Sequence, residues 1–356
     1  MTTVRKDRFQ TETQLIERIT GAIPAVLDGR AGRHPVRDGV RLGIGDDAAV
    51  LAPTGRTEWV LTCDAFLEGV HFLGSRHPAD SVGFKSLVRA TSDVAAMGAK
   101  PRFFLLTLAL PVARTGAWLD EFLRGMARAA RRLGLSLIGG DTKKFPAVSI
   151  SITVLGEIAP GTAVPRSGAR PGDIIYVSGR LGQAQLGLEI VRRTPPGTLR
   201  KQLRASPAFR RLLQPHLYPK IRVELGAWLA RTGVGSAMID ISDGLSTDLN
   251  HVCVASGAGA RLWAERIPCV DIPAAQAKRV AQLKLDPLHM ALDGGDDYEL
   301  LFTVAPRHVP RLRQAPGFSD LRAIGEITTG KQILLVGPQG SERRLEPGGW
   351  DHFRKK

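Results

Sequence analysis

Six acidic clusters lie at the ends of apolar runs or between glycines. They are Gly43-Ile44-Gly45-Asp46-Asp47-Ala48-Ala49-Val50, Thr62-Cys63-Asp64, Ser92-Asp93, Gly139-Gly140-Asp141-Thr142, Asp240-Ile241-Ser242-Asp243-Gly244 and Gly294-Gly295-Asp296-Asp297-Tyr298-Glu299. Glycine lets a chain bend sharply and come close to a ligand. Carboxylates at such bends are hard oxygen donors suited to Mg²⁺, which is held by a few carboxylates together with substrate phosphates. Gathered in one nest, they repel one another unless cations neutralise them. One Gly-Asp or Asp-Gly pair is an ordinary surface turn. Six such clusters among only 34 acidic residues point instead to a shared metal–phosphate site.

The usual phosphate loops are missing. No GxxxxGK[ST] occurs, so a P-loop is excluded, and no protein-kinase motif set is present. Gly179-Arg180-Leu181-Gly182 is faintly like a dinucleotide fingerprint but lacks the full glycine spacing. A phosphotransferase built on this chain uses another architecture.

The elements that must position these carboxylates alternate short apolar strands with helices, which predicts an α/β or α+β chain. Val60–Asp64 reads as a strand ending in acid, and Ala79–Met97 as a helix with Pro78 and Asp80 at its start. Phe103–Leu110 is a further strand. Trp118, Phe122, Met126 and Leu133 mark one face of a helix that Gly134 ends. Leu135–Ile138 is a brief strand running into Gly139-Gly140-Asp141, and Val148–Leu155 alternates as a half-buried strand. The turn-rich stretch Arg166–Asp173 precedes a strand at Ile174–Ser178 and is the expected domain boundary, giving domains 1–165 and 166–356. Beyond it, Pro219–Arg231 reads as helical and Ser236–Ile241 as a strand, with a helix opened by Ser242-Asp243-Gly244. Tyr298–Val304 and Ile333–Val336 are the last strands.

Composition bounds the function. The chain has 356 residues, 43% hydrophobic and 23% charged, the balance of a globular protein. No apolar run approaches the ~20 residues that cross a bilayer, and the N-terminal residues lack a signal-peptide core. Cys63, Cys253 and Cys269 are too few and too scattered for a disulfide framework or a zinc knuckle, so a cytoplasmic enzyme is expected. The net charge of +15 raises a nucleic-acid reading. Nine of the excess positive charges fall between Ile190 and Val223, a stretch with no acidic residue, several prolines and almost no aromatics. That pattern reads as a solvated basic excursion, dispensable for chemistry, and the acidic clusters point away from nucleic acid.

GIGDDAAVL, Thr62-Cys63-Asp64 followed by Gly69-Val70-His71-Phe72, SDVAAMGAKP, GGDT, RSGARPGD, IDISDGLSTDL, GGDDYELLF and the terminal Gly349-Trp350-Asp351-His352-Phe353 come in this order along the chain. In this the sequence resembles the thiamine-monophosphate kinases, from about Glu12 to the C-terminus. GDD and GGDT are widespread in the larger superfamily of aminoimidazole-ribotide synthetases, selenophosphate synthetases and hydrogenase maturation proteins. GVHF, AMGAKP, GGDDYEL and GGWDHF resemble the kinase branch in particular.

The resemblance implies a two-domain α+β fold like that of aminoimidazole-ribotide synthetase. An N-terminal β-sheet domain flanked by helices would bind ATP and Mg²⁺ and form a homodimer, and an α/β domain would follow. It implies Mg²⁺-dependent transfer of phosphate from ATP to thiamine monophosphate. Asp47, Asp64, Asp93, Asp141 and Asp240 would hold Mg²⁺ ions, with Asp243 at a further metal. Thr62 and Cys63 would offer oxygens nearby; Cys63 replaces a usual hydroxyl residue, so only its backbone carbonyl role carries over. Gly140, Asp141, Arg166 and Ser242 would contact ATP, and His71, Asp296 and Trp350 the thiamine moiety. The acceptor is itself an anionic nucleophile, so no general base is implied.

Plainer readings stand beside these. His71 is equally a packed histidine beside Phe72, Trp350 a C-terminal anchor and Arg166 a solvated turn residue. Lys85 and Arg89 read as surface or pairing residues. Another superfamily activity remains an alternative, although a selenophosphate synthetase would want a reactive Cys before Cys63, and there is none.

Overall fold

The strand pattern resolves into two mixed sheets placed one after the other along the chain. The computed structural model describes residues 40–42, 46–54, 56–314 and 317–353; the start of the resemblance near Glu12 and the glycine turn Gly43-Ile44-Gly45 lie outside them. The first sheet holds β1 (Val40–Leu42), β2 (Ala49–Thr54), β3 (Thr57–Leu67), β4 (Lys100–Leu110), β5 (Ser136–Lys144) and β6 (Ser149–Ile158), in the order β1-β2-β3-β6-β4-β5. All its pairs are antiparallel except β4–β5. Strand β6 shows the logic: Ile150, Ile152 and Val154 are buried, and the polar residues between them are not. The second sheet holds β7 (Ile174–Val177), β8 (Gly235–Asp240), β9 (Gly259–Trp263), β10 (Leu300–Val304), β11 (Arg322–Thr328), β12 (Ile333–Val336) and β13 (Glu342–Arg344), in the order β13-β12-β9-β11-β7-β10-β8.

Between the sheets runs α1, Ala79–Ala96. Besides apolar residues such as Val82, Phe84, Leu87, Val88 and Val94, it carries Ser81, Lys85, Arg89 and Ser92 at helical spacing, so it is largely buried with a polar stripe that must find partners inside the fold. It packs on β3, β6 and β4, on α2 (Ala117–Leu133), and on β8 of the second sheet. Contact with α2 is backbone-close, because a Cβ on Gly125 would stand 1.8 Å from the Asp80 carbonyl oxygen. Gly134, at φ 67°, ends α2 in the left-handed conformation.

The second sheet is covered on both faces. Leu300, Phe302 and Val304 of β10 join the core around α1, whereas Leu301 joins a core roofed by α7, Leu245–Ser256. Between these lie α3 (Gln183–Arg193), α4 (Pro196–Ala205), α5 (Pro207–Leu217) and α6 (Val223–Thr232). Short helices α8 (Ala277–Ala281), α9 (Pro287–Asp293) and α10 (Val309–Arg313) complete the set among the described residues. Among the described residues no helix is long and apolar enough to cross a membrane.

Two expectations are corrected. The basic stretch 190–223 is largely helical and packed, not a solvated excursion: Leu199, Phe209, Leu212, Leu213 and Leu217 are buried with Leu186, Ile190 and Val191 in a third core. Two of its prolines start helices, because Pro196 and Pro207 occupy first-turn positions where no backbone N–H is needed. Ser206 caps α5 by accepting from Phe209 N at 3.2 Å. In addition, the brief strand expected at Leu135–Ile138 continues through Gly139-Gly140-Asp141 to Lys144.

Candidate metal and phosphate site

Three carboxylates from three distant segments meet at the junction of the sheets. Asp47 precedes β2, Asp93 lies in the last turn of α1 and Asp240 ends β8; their ligand oxygens are within 4.8 Å of one another. Thr62 Oγ1 donates to Asp93 Oδ2 at 2.6 Å. Arg166 grips Asp47 through Nε, at 3.1 Å, and a terminal nitrogen, and its backbone N–H donates to Asp46 Oδ2 at 3.0 Å. Asp64 accepts from Arg89 Nε at 2.6 Å. Strand alternation puts Thr62 and Asp64 on the α1 side of β3 and turns the exposed Cys63 towards Ser151, 3.5 Å away. The side chain that departs from the family pattern therefore faces away from the carboxylates.

The electrostatics of this nest are those of a site short of positive charge. Burial, then the charge of Asp47, pushes Asp240 up to about 7. Burial drives Asp93 well above the ordinary range, reinforced by Asp240, Asp47 and Asp64. Asp47 is also raised by burial, against the pull of Arg166. One oxygen of Asp47, Oδ2, is buried with no hydrogen-bond partner. Three desolvated carboxylates with an orphaned oxygen and no soft ligand fit a Mg²⁺ ion.

Ser242, Asp243 and Gly244 form the turn between β8 and α7. Their three backbone N–H groups donate to Asp248 Oδ2 at 3.1, 3.2 and 3.0 Å, an arrangement that holds the turn closed beside Asp240. Asp248 was not expected from sequence; its position in the first turn of a helix, four residues after Gly244, is the signal that marks it.

Next to this turn lies the Gly294–Glu299 loop. Asp296 and Tyr298 have φ of 71° and 52°, left-handed values that cost a non-glycine residue about 1–2 kcal/mol each. Backbone hydrogen bonds hold both: Asp296 N to the Ser242 carbonyl and Tyr298 N to the Ile241 carbonyl, each 2.8 Å. The Asp296 carboxylate receives Lys85 Nζ at 2.7 Å and the Tyr298 hydroxyl at 2.5 Å. Burial alone would raise Asp296, yet Lys85 and Arg89 outweigh it and hold the carboxyl well below the usual range.

His71 stacks on Phe66 with centroids 5.5 Å apart, and its Nδ1 accepts from Leu67 N at 3.0 Å. The proton of the neutral ring is then on Nε2, which is buried and has no partner. Burial, followed by Arg89, pushes His71 down to about 3. Near it the C-terminal segment folds over α7: Trp350 N donates to the Asp243 carbonyl at 2.9 Å, and Gly349 N to Thr247 Oγ1 at 3.1 Å. Only glycine fits at 349, where a Cβ would lie 2.1 Å from the Asp243 oxygen. His352 bridges the Trp350 and His71 rings, at 5.5 and 5.3 Å.

The chain thus brings Asp47, Thr62, Asp64, Asp93, Arg166, Asp240, Ser242 and Asp243 to one locus, with His71, Asp296 and Trp350 bordering it. Gly140 and Asp141 fall elsewhere. They sit on β5, the exposed edge strand, separated from β3 by β4 and β6. Asp141 there accepts from Thr142 N at 2.8 Å and lies 3.3 Å from Lys143 Nζ. Lys85 and Arg89 are pairing residues, as read from sequence, but Lys85 is buried rather than on the surface. His77 and His216, behind Lys85, carried no sequence signal.

Residues 45–158 match the family described as "AIR synthase related protein, N-terminal domain". The chain is 36% identical over 316 residues to the thiamine-monophosphate kinase of Salmonella typhimurium, covering 88% of this chain and 92% of that one. Among solved structures, AaThiL complexed with AMPPCP and TMP superposes with a TM-score of 0.78 at 30% identity, over 96% of this chain and 97% of that one. Thiamine-monophosphate kinase from Stenotrophomonas maltophilia K279a does so with a TM-score of 0.69 at 36% identity, over 91% and 96%.

Proposed function

This chain belongs to the family of thiamine-monophosphate kinases, and on that premise we propose that it transfers the γ-phosphoryl group of ATP to thiamine monophosphate, yielding thiamine diphosphate and ADP. The observation that carries the reading is the fusion of two half-sites. A carboxylate triad is joined by the backbone hydrogen bond from Asp296 to Ser242 to a neighbouring cluster that holds an ionised carboxylate, a buried histidine N–H and an indole.

Asp47, Asp93 and Asp240, with Asp64 and Asp243 at the rim, would hold Mg²⁺, which supplies charge neutralisation between the donor and acceptor phosphates. Arg166 keeps Asp47 oriented and presents its guanidinium at the nucleotide side. Ser242 borders the same phosphates from the turn that Asp248 closes. On the acceptor side, the negative Asp296 and the face of Trp350 suit a cationic thiazolium ring, and His71 Nε2–H offers one hydrogen bond. The acceptor phosphate is anionic near neutral pH and attacks in line, so these residues bind and orient without abstracting a proton.

A homodimer accompanies this reading. Leu105 of β4, Leu137 and Ile138 of β5 and Phe145 just after it are exposed, and β5 carries Gly140 and Asp141, so those two residues join a site only if a second copy meets this edge. Sedimentation velocity on the parent and on Ile138→Asp tests it, a parent monomer at micromolar concentration being the contrary result. The scattered free cysteines fit a reducing cytoplasm.

A coupled ADP-release assay across thiamine monophosphate, thiamine and aminoimidazole-ribotide precursors tests the function. ADP release that depends on thiamine monophosphate, with thiamine diphosphate formed in equal amount, is the expected result. Release driven by an aminoimidazole precursor instead would assign the chain to another branch of the superfamily.

A further inference from the structure

We propose that the cleft between α2, α4 and α5 is a second anion site, which takes a linear oligophosphate chain. None of its lining residues belongs to the metal or acceptor assignments.

The cleft encloses about 820 Å³, and six arginines line it against two carboxylates. Arg124, Arg128 and Arg132 stand four residues apart on α2, a row of roughly 12 Å along one face of the helix. Arg200 and Arg204 repeat that spacing on α4, and Arg210 comes from α5. Like charges at this spacing oppose the helix that carries them. On α3 the corresponding row brings its own counter-charge, because Glu189 takes both Arg192 and Arg193. In the cleft the two acids are already engaged. Asp80 accepts from Arg128 at 3.3 Å and from the Tyr218 hydroxyl at 2.9 Å. Glu121 lies 3.9 Å from Arg124. Arg210 donates to the Leu203 and Arg204 carbonyls, which fixes α5 against α4 but leaves its charge unmatched. Arg132, Arg200 and Arg204 form no ion pair among the described residues. The cleft is short of negative charge.

The side chains also select the class of anion. Guanidinium forks match phosphate oxygens two at a time, so facing rows of them suit several phosphates in line. The aromatic faces are closed to a base. Arg128 covers the rings of Phe84 and Tyr218, 5.2 and 4.9 Å from their centroids. Single-stranded nucleic acid draws on open faces for stacking. A phosphate chain, free or as the tail of a nucleotide, does not.

The test measures binding of an end-labelled inorganic polyphosphate to the full chain by fluorescence anisotropy. It is done in EDTA at physiological ionic strength, where the metal-free carboxylate nest repels phosphate. Arg200→Gln with Arg204→Gln and Arg124→Gln with Arg132→Gln are compared with the parent and with a control pair, Arg307→Gln with Lys331→Gln, exposed outside the cleft. Arg128 is left intact because it holds Asp80 and two rings. Each cleft pair is expected to weaken binding about tenfold or more and to lower the salt slope by about two. The control pair is expected to stay within threefold, and kcat and melting temperature to hold in all three. The cleft pairs lie on different helices, so a folding fault in one leaves the other to decide. Equal weakening by all three pairs would show only general charge and overturns the proposal, as does a parent that does not bind. An oligonucleotide of equal charge that binds as tightly as the polyphosphate also overturns it. Tripolyphosphate and ATP serve as competitors to separate the sources. Displacement by both assigns recognition to the phosphate chain, and displacement by ATP alone sinks that assignment.

Discussion

The backbone N–H of Asp296 donates to the carbonyl of Ser242 at 2.8 Å, tying the loop assigned to the acceptor to the turn beside the carboxylate triad. Two more main-chain bonds reinforce this tie, Tyr298 N to the Ile241 carbonyl and Trp350 N to the Asp243 carbonyl. Three segments more than fifty residues apart thus share one rigid frame. In-line transfer requires reacting atoms held about 3–3.5 Å apart, and main-chain hydrogen bonds hold that spacing better than long side chains do.

Asp93→Asn is expected to lower turnover at least ~100-fold, the scale of a lost electrostatic stabiliser, while the melting temperature of the metal-free protein holds or rises. Burial and three neighbouring aspartates oppose the Asp93 charge, and Asn keeps the oxygen that Thr62 bonds. Asp93 is a cleaner choice than Asp47, whose loss would also release Arg166. Near-normal turnover at saturating Mg²⁺ would remove Asp93 from the metal set.

Adding Mg²⁺ to the metal-free parent is expected to raise the melting temperature by a few degrees and EDTA to reverse the rise, because a ligand that binds only the folded state stabilises it. The same titration on Asp93→Asn should give a much smaller shift. Equal shifts in the two proteins would place the bound ion elsewhere.

Trp350→Ala is expected to raise KM for thiamine monophosphate about five- to thirtyfold, a cation–π contact of roughly 1–2 kcal/mol, with KM for ATP nearly unchanged. The main-chain bond from residue 350 to Asp243 survives the truncation, so the segment stays docked. Loss of thermal stability with both KM values intact would make Trp350 an anchor only. A raised ATP KM would move it to the nucleotide.

The basic segment separates into charge and core. Replacing Arg200 and Arg204 together by Gln is expected to leave kcat within threefold and the melting temperature nearly unchanged. Leu199→Ala should cost about 2–5 kcal/mol, since Leu199 is fully buried in the third core. Urea titrations of both variants decide the matter, and a tolerant Leu199 would show that α4 contributes little to stability.

His77 gives a pH dependence with a definite sign. Burial, then Lys85, pushes it down to about 4, against an ordinary value near 6.5. The unfolded chain binds its proton first, so this contribution is intact above about pH 6.5 and is lost as pH falls towards 4. His77→Gln keeps a partner for His216 and removes the titration. Its melting temperature should fall less steeply than the parent's between pH 6.5 and 4, and parallel curves would show that His77 does not titrate in that window. The raised carboxylates slope the other way but do so in both proteins.

What the sequence by itself determined was local. Strand alternation in Ser149–Ile158, the stop at Gly134 and the glycine-bounded acids are each legible within a few residues, because backbone freedom and side-chain periodicity act at that range. The same holds for the order of motifs that marks the family. The tertiary structure decided which acids meet. Asp47, Asp93 and Asp240 are brought together by packing α1 between two sheets, while Asp141 stays on an open edge, and nothing in the GGDT turn distinguishes these fates. Lys85 illustrates the limit most clearly. A charged residue on a helix reads as exposed, since burying an unpaired ammonium is costly. Here the partner that offsets that cost is Asp296, 211 residues along the chain. The basic segment fails for a related reason: charge and proline content describe its solvent face, whereas its leucines find their partners only when α3 and α5 pack together.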